Sequence, residues 1–454
     1  MRSRSLTLGT CVLSVLGLVA IAAAPAAGED AAPAVVRPES VAAREEPLAR
    51  KPGAIIDASN IERYGDVGGP SIRWLVEHGV KLKIGAYRKV SNPPPLLEAT
   101  RKYSAKVQLS ADGTHLVDHV AGLPFPDIDT NDPQVATKLM FDFESAVARD
   151  DLDLRFIECR AGTIGSGKDP FQVKRTFLVD HFRRLYFRER TTVEPLPELA
   201  SNRDAVRYKE TLWPLIEPFD LKGTGVTMNR YVDPARQDDT WQYLPQLRRI
   251  RRISWTQRSE ALFDQDIDLD SHGGFAGKIA LYDWKYLGEK SVLATFHDAT
   301  IPIEWGAAPG DYVHAASWEP RRVWVVEGVP KSPLYVYSDI SPLSFAHSRR
   351  VFYIDRETFR IPYSDIYDRT GQLWKAWITS FLFAKAPIAD TYQGDYEVPY
   401  EPSVTMVDMQ KQHATFCELP SRRFPGERGW YANVGDKEGT TESAFELTVS
   451  LGGR

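Results

Sequence analysis

The chain has 454 residues, with 56 Lys plus Arg against 61 Asp plus Glu, a formal charge of −5 and a pI near 6.1, which argues against a nucleic-acid partner. Hydrophobic residues make up 43% and charged residues 26%, enough apolar material for a substantial core and too much for a wholly disordered chain. Only 5 Met and a mean hydropathy of −0.33 argue against an integral membrane bundle.

Arg2 and Arg4 precede an apolar run from Leu6 to Ala24, then small residues through Gly28, then Glu29-Asp30. Basic, apolar and small residues in that order read as a secretory signal peptide over residues 1–28, cleaved after Ala26 or Gly28. The run is just long enough for a membrane anchor, but its Ala-rich end and the following acids favour removal. Cys11 lies inside the run after Leu8-Gly9-Thr10 and is not read as a lipidation site. Residues 29–51, rich in Ala, Pro, Glu and Arg, read as a flexible leader, and residues 52–454 as one large domain, with a two-lobed arrangement second. Cys159 and Cys417 then remain in a compartment that permits disulfides; a bridge and two separate buried thiols both stay open.

Ser71 caps a short helix in which Ile72, Leu75 and Val76 share a face and Gly79 ends the run. From 106 to 120, apolar runs flank Asp112-Gly113, the signature of a β-hairpin. Asp132-Pro133 opens a helix carrying Val135, Leu139, Phe143 and Val147 at a spacing of four. Beyond it the period becomes two, with strand candidates at Leu152–Cys159, Phe171–Val179, Leu185–Thr192, Trp241–Leu244, Arg322–Glu327, Arg350–Asp355, Leu373–Phe383 and Phe445–Leu451. Strands in series without intervening helices predict an antiparallel sheet.

Several patterns suggest chemistry and are outweighed by simpler readings. Gly162-Thr163-Ile164-Gly165-Ser166-Gly167-Lys168 matches a phosphate-binding loop for seven positions, but Asp169 replaces the metal-binding hydroxyl and no helix follows, so a glycine-rich hairpin is expected. His115 and His119 would lie roughly 13 Å apart on a strand, too far to share an ion, and are expected as ordinary hydrogen-bonded histidines. Asp264, Asp266, Asp268 and Asp270 alternate; they lack the Gly and Glu of a calcium loop and read as a solvated loop or edge, with calcium as the alternative. Arg248, Arg249, Arg251 and Arg252, with the doublets Arg321-Arg322 and Arg349-Arg350, form either a solvated strand face or a contact for anionic lipid head groups or an acidic partner. No metal site, cofactor or catalytic motif is expected, and the chain is not read as an enzyme.

Trp241-Gln242-Tyr243-Leu244-Pro245 followed by Leu247 to Ile253 resembles an element of proteins similar to outer-membrane lipoprotein-sorting carriers. Gly122-Leu123-Pro124-Phe125-Pro126, Gly274-Phe275-Ala276-Gly277-Lys278, Asp283 to Gly288, Arg349 to Asp355 and Tyr367 to Lys375 resemble the bacterial domain-of-unknown-function family 1329, over about Pro52 to the C-terminus. The resemblance implies a mainly β (α+β) fold, a large curved antiparallel sheet forming a half-open barrel with plugging helices. It also implies a periplasmic or outer-membrane-associated location, a hydrophobic lipid-like cargo and association with exporters of the resistance-nodulation-division type.

The function expected from these residues is that of a carrier for a lipid-like ligand, with Trp241, Tyr243, Trp255, Trp284, Trp324 and Tyr353 lining its concavity. An enzyme acting on an envelope lipid or glycan, and a structural adaptor of a transporter, are the alternatives. An apolar cavity, a cleft of converging titratable groups and a filled barrel distinguish the three.

Overall fold

The computed structural model describes residues 50–445 apart from 254–257, 260, 298–299, 332–346, 386–394, 428 and 436–440. The signal peptide, nearly all of the leader, Trp255 and residues 446–451 of the last expected strand lie outside the described residues. Phe445 itself ends a 3-10 turn, Glu442–Phe445.

Local sequence signals produce the first part of the described chain. Strands β1 (Ile55–Ile56) and β2 (Leu82–Lys83) pair around α1 (Ile61–Tyr64) and α2 (Pro70–Glu77). Helix α2 buries Ile72, Leu75 and Val76, as their spacing requires, but Gly69 rather than Ser71 occupies the cap position. A Cβ at residue 69 would collide with the Tyr353 hydroxyl and the Asp365 carboxylate, so only glycine admits this approach to the sheet. Helix α3 (Pro94–Tyr103) precedes a small hairpin of β3 (Gln108–Leu109) and β4 (Leu116–Val117), which turns at Gly113 with φ +69°. Helix α4 (Val135–Ser145) buries Val135 and Leu139, and Asp132 Oδ1 accepts the Gln134 amide at 2.8 Å before its first turn.

Fifteen antiparallel strands then form one sheet. The first meander comprises β5 (Asp151–Thr163), β6 (Gln172–Tyr186), β7 (Val206–Leu212), the short β8 (Leu215–Glu217), β9 (Gly225–Tyr231), β10 (Asp239–Leu244) and β11 (Arg249–Arg252). The second comprises β12 (Tyr282–Ala294), β13 (Glu319–Pro330), β14 (Arg349–Asp355), β15 (Tyr363–Tyr367), β16 (Leu373–Ala384), β17 (Val398–Asp408) and β18 (His413–Glu418). Spatial order is β11-β10-β9-β7-β6-β5-β18-β17-β16-β15-β14-β13-β12, with β8 added to β6 and a last strand, β19 (Trp430–Ala432), added to β5. The loop between β5 and β6 is the glycine-rich hairpin expected in place of a phosphate loop; β6 covers most of the expected Phe171–Val179 strand and runs on to Tyr186, whereas the expected Leu185–Thr192 strand is irregular from Phe187 onward.

This topology has a consequence for the interior. The meanders meet at the seam β5–β18, so the chain leaving β11 at one edge must cross to β12 at the other. The described residues of the crossover between β11 and β12, among them Arg258 and 261–281, lie against one face of the sheet. Val226 on β9 and Trp377 on β16 line one pocket with crossover residues. Six strand spacings separate these two strands, roughly 29 Å in a flat sheet. The sheet therefore curves around the crossover, and β11 and β12 do not pair, which leaves a half-open barrel.

Both faces of the second meander are covered. Val323, Val325, Val351, Tyr353 and Tyr363 pack on the outer face against Ile72, Leu75 and Trp318. Trp324, Val326, Phe352 and Ile354 pack on the inner face against α4 and Phe275. Strict alternation along β13 and β14, where Trp324 opposes Ile354 and Val325 opposes Tyr353, separates the two cores.

Candidate functional site

The inner face under the seam carries an apolar lobe of about 160 Å³. Leu154 on β5, Phe177 and Phe182 on β6, Leu212 on β7 and Val226 on β9 supply its wall, and Leu262, Phe263, Ile267 and Leu269 of the crossover supply its cover. Cys159 and Cys417 also line it; they stand directly opposite one another on β5 and β18 and form a disulfide, with Cα atoms 4.0 Å apart. Two roomier hollows, of about 470 and 490 Å³, offer less apolar surface; Glu144, Glu189, Arg207 and Arg230 are among the residues lining the first, and Arg321, Asp355 and Glu357 among those lining the second.

Polar contacts, rather than continuous apolar packing, fasten much of the crossover. Asp266 Oδ2 lies 2.7 Å from His413 Nδ1 and accepts the Thr415 hydroxyl at 2.8 Å, and Lys375 Nζ donates to the Asp266 carbonyl at 2.8 Å. Arg258 Nε donates to Asp270 Oδ1 at 2.8 Å, and Arg350 donates to Ser271 Oγ at 2.8 Å and to the Asp270 carbonyl at 3.2 Å. Burial pushes the Asp268 carboxyl up, against the pull of Arg350 and Lys375. Asp238, fully buried just before β10, meets Arg230 of β9 at 2.8 Å and two cations of the crossover, Arg258 at 3.4 Å and Lys278 at 3.5 Å. Burial lowers Lys278 to about 8, with Asp238 opposing.

These contacts correct the expectation of a solvated aspartate ladder. Asp264 is exposed and pairs with Arg175, but Asp266, Asp268 and Asp270 are buried. Asp266 is held by His413 and Thr415 of the sheet, Asp268 accepts the Ser271 hydroxyl at 2.7 Å, and Asp270 pairs with Arg258 of the crossover. His119 follows the simple reading, with Nε2 2.9 Å from the Gly122 carbonyl. The arginine doublets are also corrected: alternation buries one member of each. Arg321 is buried against Asp355 at 2.9 Å while Arg322 is exposed beside Glu289, and Arg350 is buried while Arg349 meets Glu327 at 3.1 Å.

A second lobe of about 170 Å³ shares Leu154, Phe182, His272 and Trp377 with the apolar one and is lined by Arg149, Arg184, Arg360 and Glu401. Burial alone would raise the Glu401 carboxyl, but Arg149, at 3.0 Å, with Arg360 and Arg184 holds it low. Burial lowers His272, which keeps its imidazole neutral where the two lobes meet. The arrangement offers an apolar chamber beside a charged one; among the described residues no cluster with metal-holding geometry occurs.

The structure does not gather the expected aromatic lining. Trp284 and Trp324 share the inner core with Phe352, Trp284 Nε1 donating to the Ile279 carbonyl at 2.8 Å. Tyr353 lies on the outer face, where its hydroxyl donates to Asp365 Oδ2 at 2.9 Å. Trp241 and Tyr243 are half-buried on β10, opposite Thr227 and Gly225. None of these residues borders the apolar lobe. Arg249, Arg251 and Arg252 lie exposed on the free edge strand β11, with Arg248 at its start.

Solved structures with a similar chain path include a putative outer membrane lipoprotein-sorting protein domain from Vibrio parahaemolyticus, 15% identical over 69% of this chain and 97% of that one, with a TM-score of 0.44. A DUF1329 family protein from Desulfovibrio piger is 14% identical over 68% of this chain and 95% of that one, with a TM-score of 0.44. A LolA superfamily protein from Nitrosomonas europaea is 12% identical over 60% and 84%, with a TM-score of 0.32. No curated protein matches the chain. The model of the family described as protein of unknown function, DUF1329, matches residues 55–437, the span that holds the whole sheet and its crossover, and the chain belongs to that family.

Proposed function

We propose that this protein binds and carries a hydrophobic, lipid-like ligand in the periplasm or at the periplasmic face of the outer membrane, by burial of apolar surface and without covalent chemistry. The observation that carries the reading is the apolar lobe beneath the seam, closed by a crossover fastened through replaceable polar contacts. Burial stabilises a bound chain by about 25 cal/mol per Å², so roughly 300 Å² of acyl surface would contribute about 7.5 kcal/mol before the crossover is displaced. The closed lobe, at about 160 Å³, does not hold a long chain, so binding requires the crossover to move aside. The neighbouring charged lobe gives a polar head group a place. The Cys159–Cys417 bridge suits an oxidising compartment. A resistance-nodulation-division exporter is the partner that the family resemblance suggests, and co-purification tests it.

The direct test is organic-solvent extraction of the purified protein with mass spectrometry of the extract, paired with titration by 11-(dansylamino)undecanoic acid. A co-purified lipid, with probe fluorescence lost in the lobe-filling variant Val226→Trp, is the expected outcome. Probe binding unaffected by Val226→Trp places the ligand elsewhere, and no bound lipid together with no probe binding sinks the carrier reading.

A further inference from the structure

The free edge of the first meander carries an unusual combination of side chains. Phe219, in a 3-10 turn (Phe219–Leu221), is 90% exposed, Leu247 62% and Ile250 45%. A second 3-10 turn, Pro245–Leu247, adjoins it: Gln246 Nε2 donates to the Asp220 carbonyl at 2.5 Å, and Pro245 stands against Gly223. Tyr243 opposes Ile250 and Trp241 opposes Arg252, so these four share one face of the β10–β11 hairpin. The acids nearby are occupied, Asp239 by Arg252 and Asp220 by Arg175. No acidic side chain among the described residues pairs with Arg248, Arg249 or Arg251, which leaves the edge positively charged on a chain of net charge −5.

Basic residues on an edge strand commonly prevent it from pairing with another sheet. That role accounts for the arginines and not for exposed Phe219 and Leu247 beside them. Apolar tips among cations, with Trp and Tyr set just behind, are the composition of an interfacial membrane contact. A docked protein would instead favour a flat, continuous apolar patch.

We propose that residues 219–223 and 241–252 dock the protein on a bilayer containing anionic phospholipid. Phe219 and Leu247, at the adjoining turns, enter the acyl boundary, and Arg248, Arg249 and Arg251 meet head-group phosphates. Docking there is independent of what the interior lobe binds.

Vesicle co-sedimentation of the full chain tests this, using equal phosphatidylglycerol and phosphatidylcholine against phosphatidylcholine alone, at low and high salt. Hydrogen exchange supplies a local readout that any membrane affinity of the N-terminal apolar run leaves unmoved. Protection of 219–223 and 245–252 on anionic vesicles only, weakened by salt, is expected. Arg249→Gln with Arg251→Gln should lower partitioning roughly 30-fold, at about fivefold per arginine. Phe219→Ser with Leu247→Ser should lower it at least about tenfold while keeping the salt dependence. All four positions are exposed, and unchanged thermal melting verifies the fold of each variant. Equal protection on neutral vesicles, no protection at either segment, or retention on poly-glutamate without vesicle binding would each overturn the proposal, the last in favour of an acidic protein partner.

Discussion

Replacing Asp238 with Asn removes the anion that joins the crossover to the sheet while keeping its shape. Arg230, Arg258 and Lys278 stand 2.8, 3.4 and 3.5 Å from the carboxylate. At an effective dielectric of about 20 these contacts represent about 15 kcal/mol of gross attraction. Most of that offsets the desolvation of four buried charges, and breaking such a cluster typically costs about 3–5 kcal/mol net. Arg258 retains Asp270 and the Ala276 carbonyl, so the loss falls on the crossover and not on the strand ladder. If ligand entry requires the crossover to open, an opening made about 3 kcal/mol easier raises apparent affinity for the dansyl probe by up to about 150-fold, until the open state dominates. Urea denaturation gives the stability change, hydrogen exchange of residues 258–278 the local opening, and fluorescence titration the affinity. Faster exchange in 258–278 with unchanged or weaker probe binding would refute the link between crossover and ligand.

Four further outcomes are expected. Replacing both Cys159 and Cys417 with Ser opens a loop of sequence separation 258 and should cost about 2–5 kcal/mol in urea denaturation; a loss under about 1 kcal/mol would remove the seam from the stability argument. Tyr353→Phe deletes a hydrogen bond to the buried Asp365 and should cost about 1.5–3 kcal/mol with probe affinity unchanged, because this residue faces the outer core; weaker binding would restore Tyr353 as a ligand contact. Lys278, lowered to about 8 in the fold, binds fewer protons folded than unfolded between pH 8 and its ordinary value of 10.5, so its contribution to stability should rise with pH through that window, and Lys278→Met should flatten the rise. Asp151, raised to about 6 by burial, binds more protons folded than unfolded between 3.8 and 6, so its contribution falls as pH rises through that range, and Asp151→Asn should remove that slope.

Elements set by neighbouring residues were legible in the sequence. Helices α2 and α4, the Gly113 turn and most of the long strands follow from periods of four or two and from turn residues within a few positions. The interior was less legible, because the groups that neutralise the crossover come from distant strands. Asp266 is 147 residues from His413 and 109 from Lys375, and no local pattern announces either pairing. The arginine doublets did carry a signal: Arg321 shares its parity with Val323 and Val325, and Arg350 with Phe352 and Ile354, so each stands on an apolar face. Alternation groups Trp241 with Tyr243 in the same way. Which face is concave depends on where the crossover runs, and that is a property of the whole sheet order.

Sheet order also determines which part can move. The disulfide and a continuous ladder bind β5 to β18, so separating the two meanders would break backbone hydrogen bonds in an apolar surrounding. The crossover adds little to that ladder; Phe275, Ile279 and Leu281 anchor its end in the inner core, while side chains and isolated carbonyls hold much of the part before it, and water can replace those contacts at lower cost. Of the two walls of the apolar lobe, the crossover is therefore the one that can yield. A filled barrel serving only as a structural adaptor has the same contacts with no reason for its cover to open below the global unfolding energy. Native-state hydrogen exchange separates the two: amides of 262–276 should open at a free energy several kcal/mol below those of β5 and β18. Exchange of both only through global unfolding would make the lobe an ordinary core and leave the carrier without an entrance.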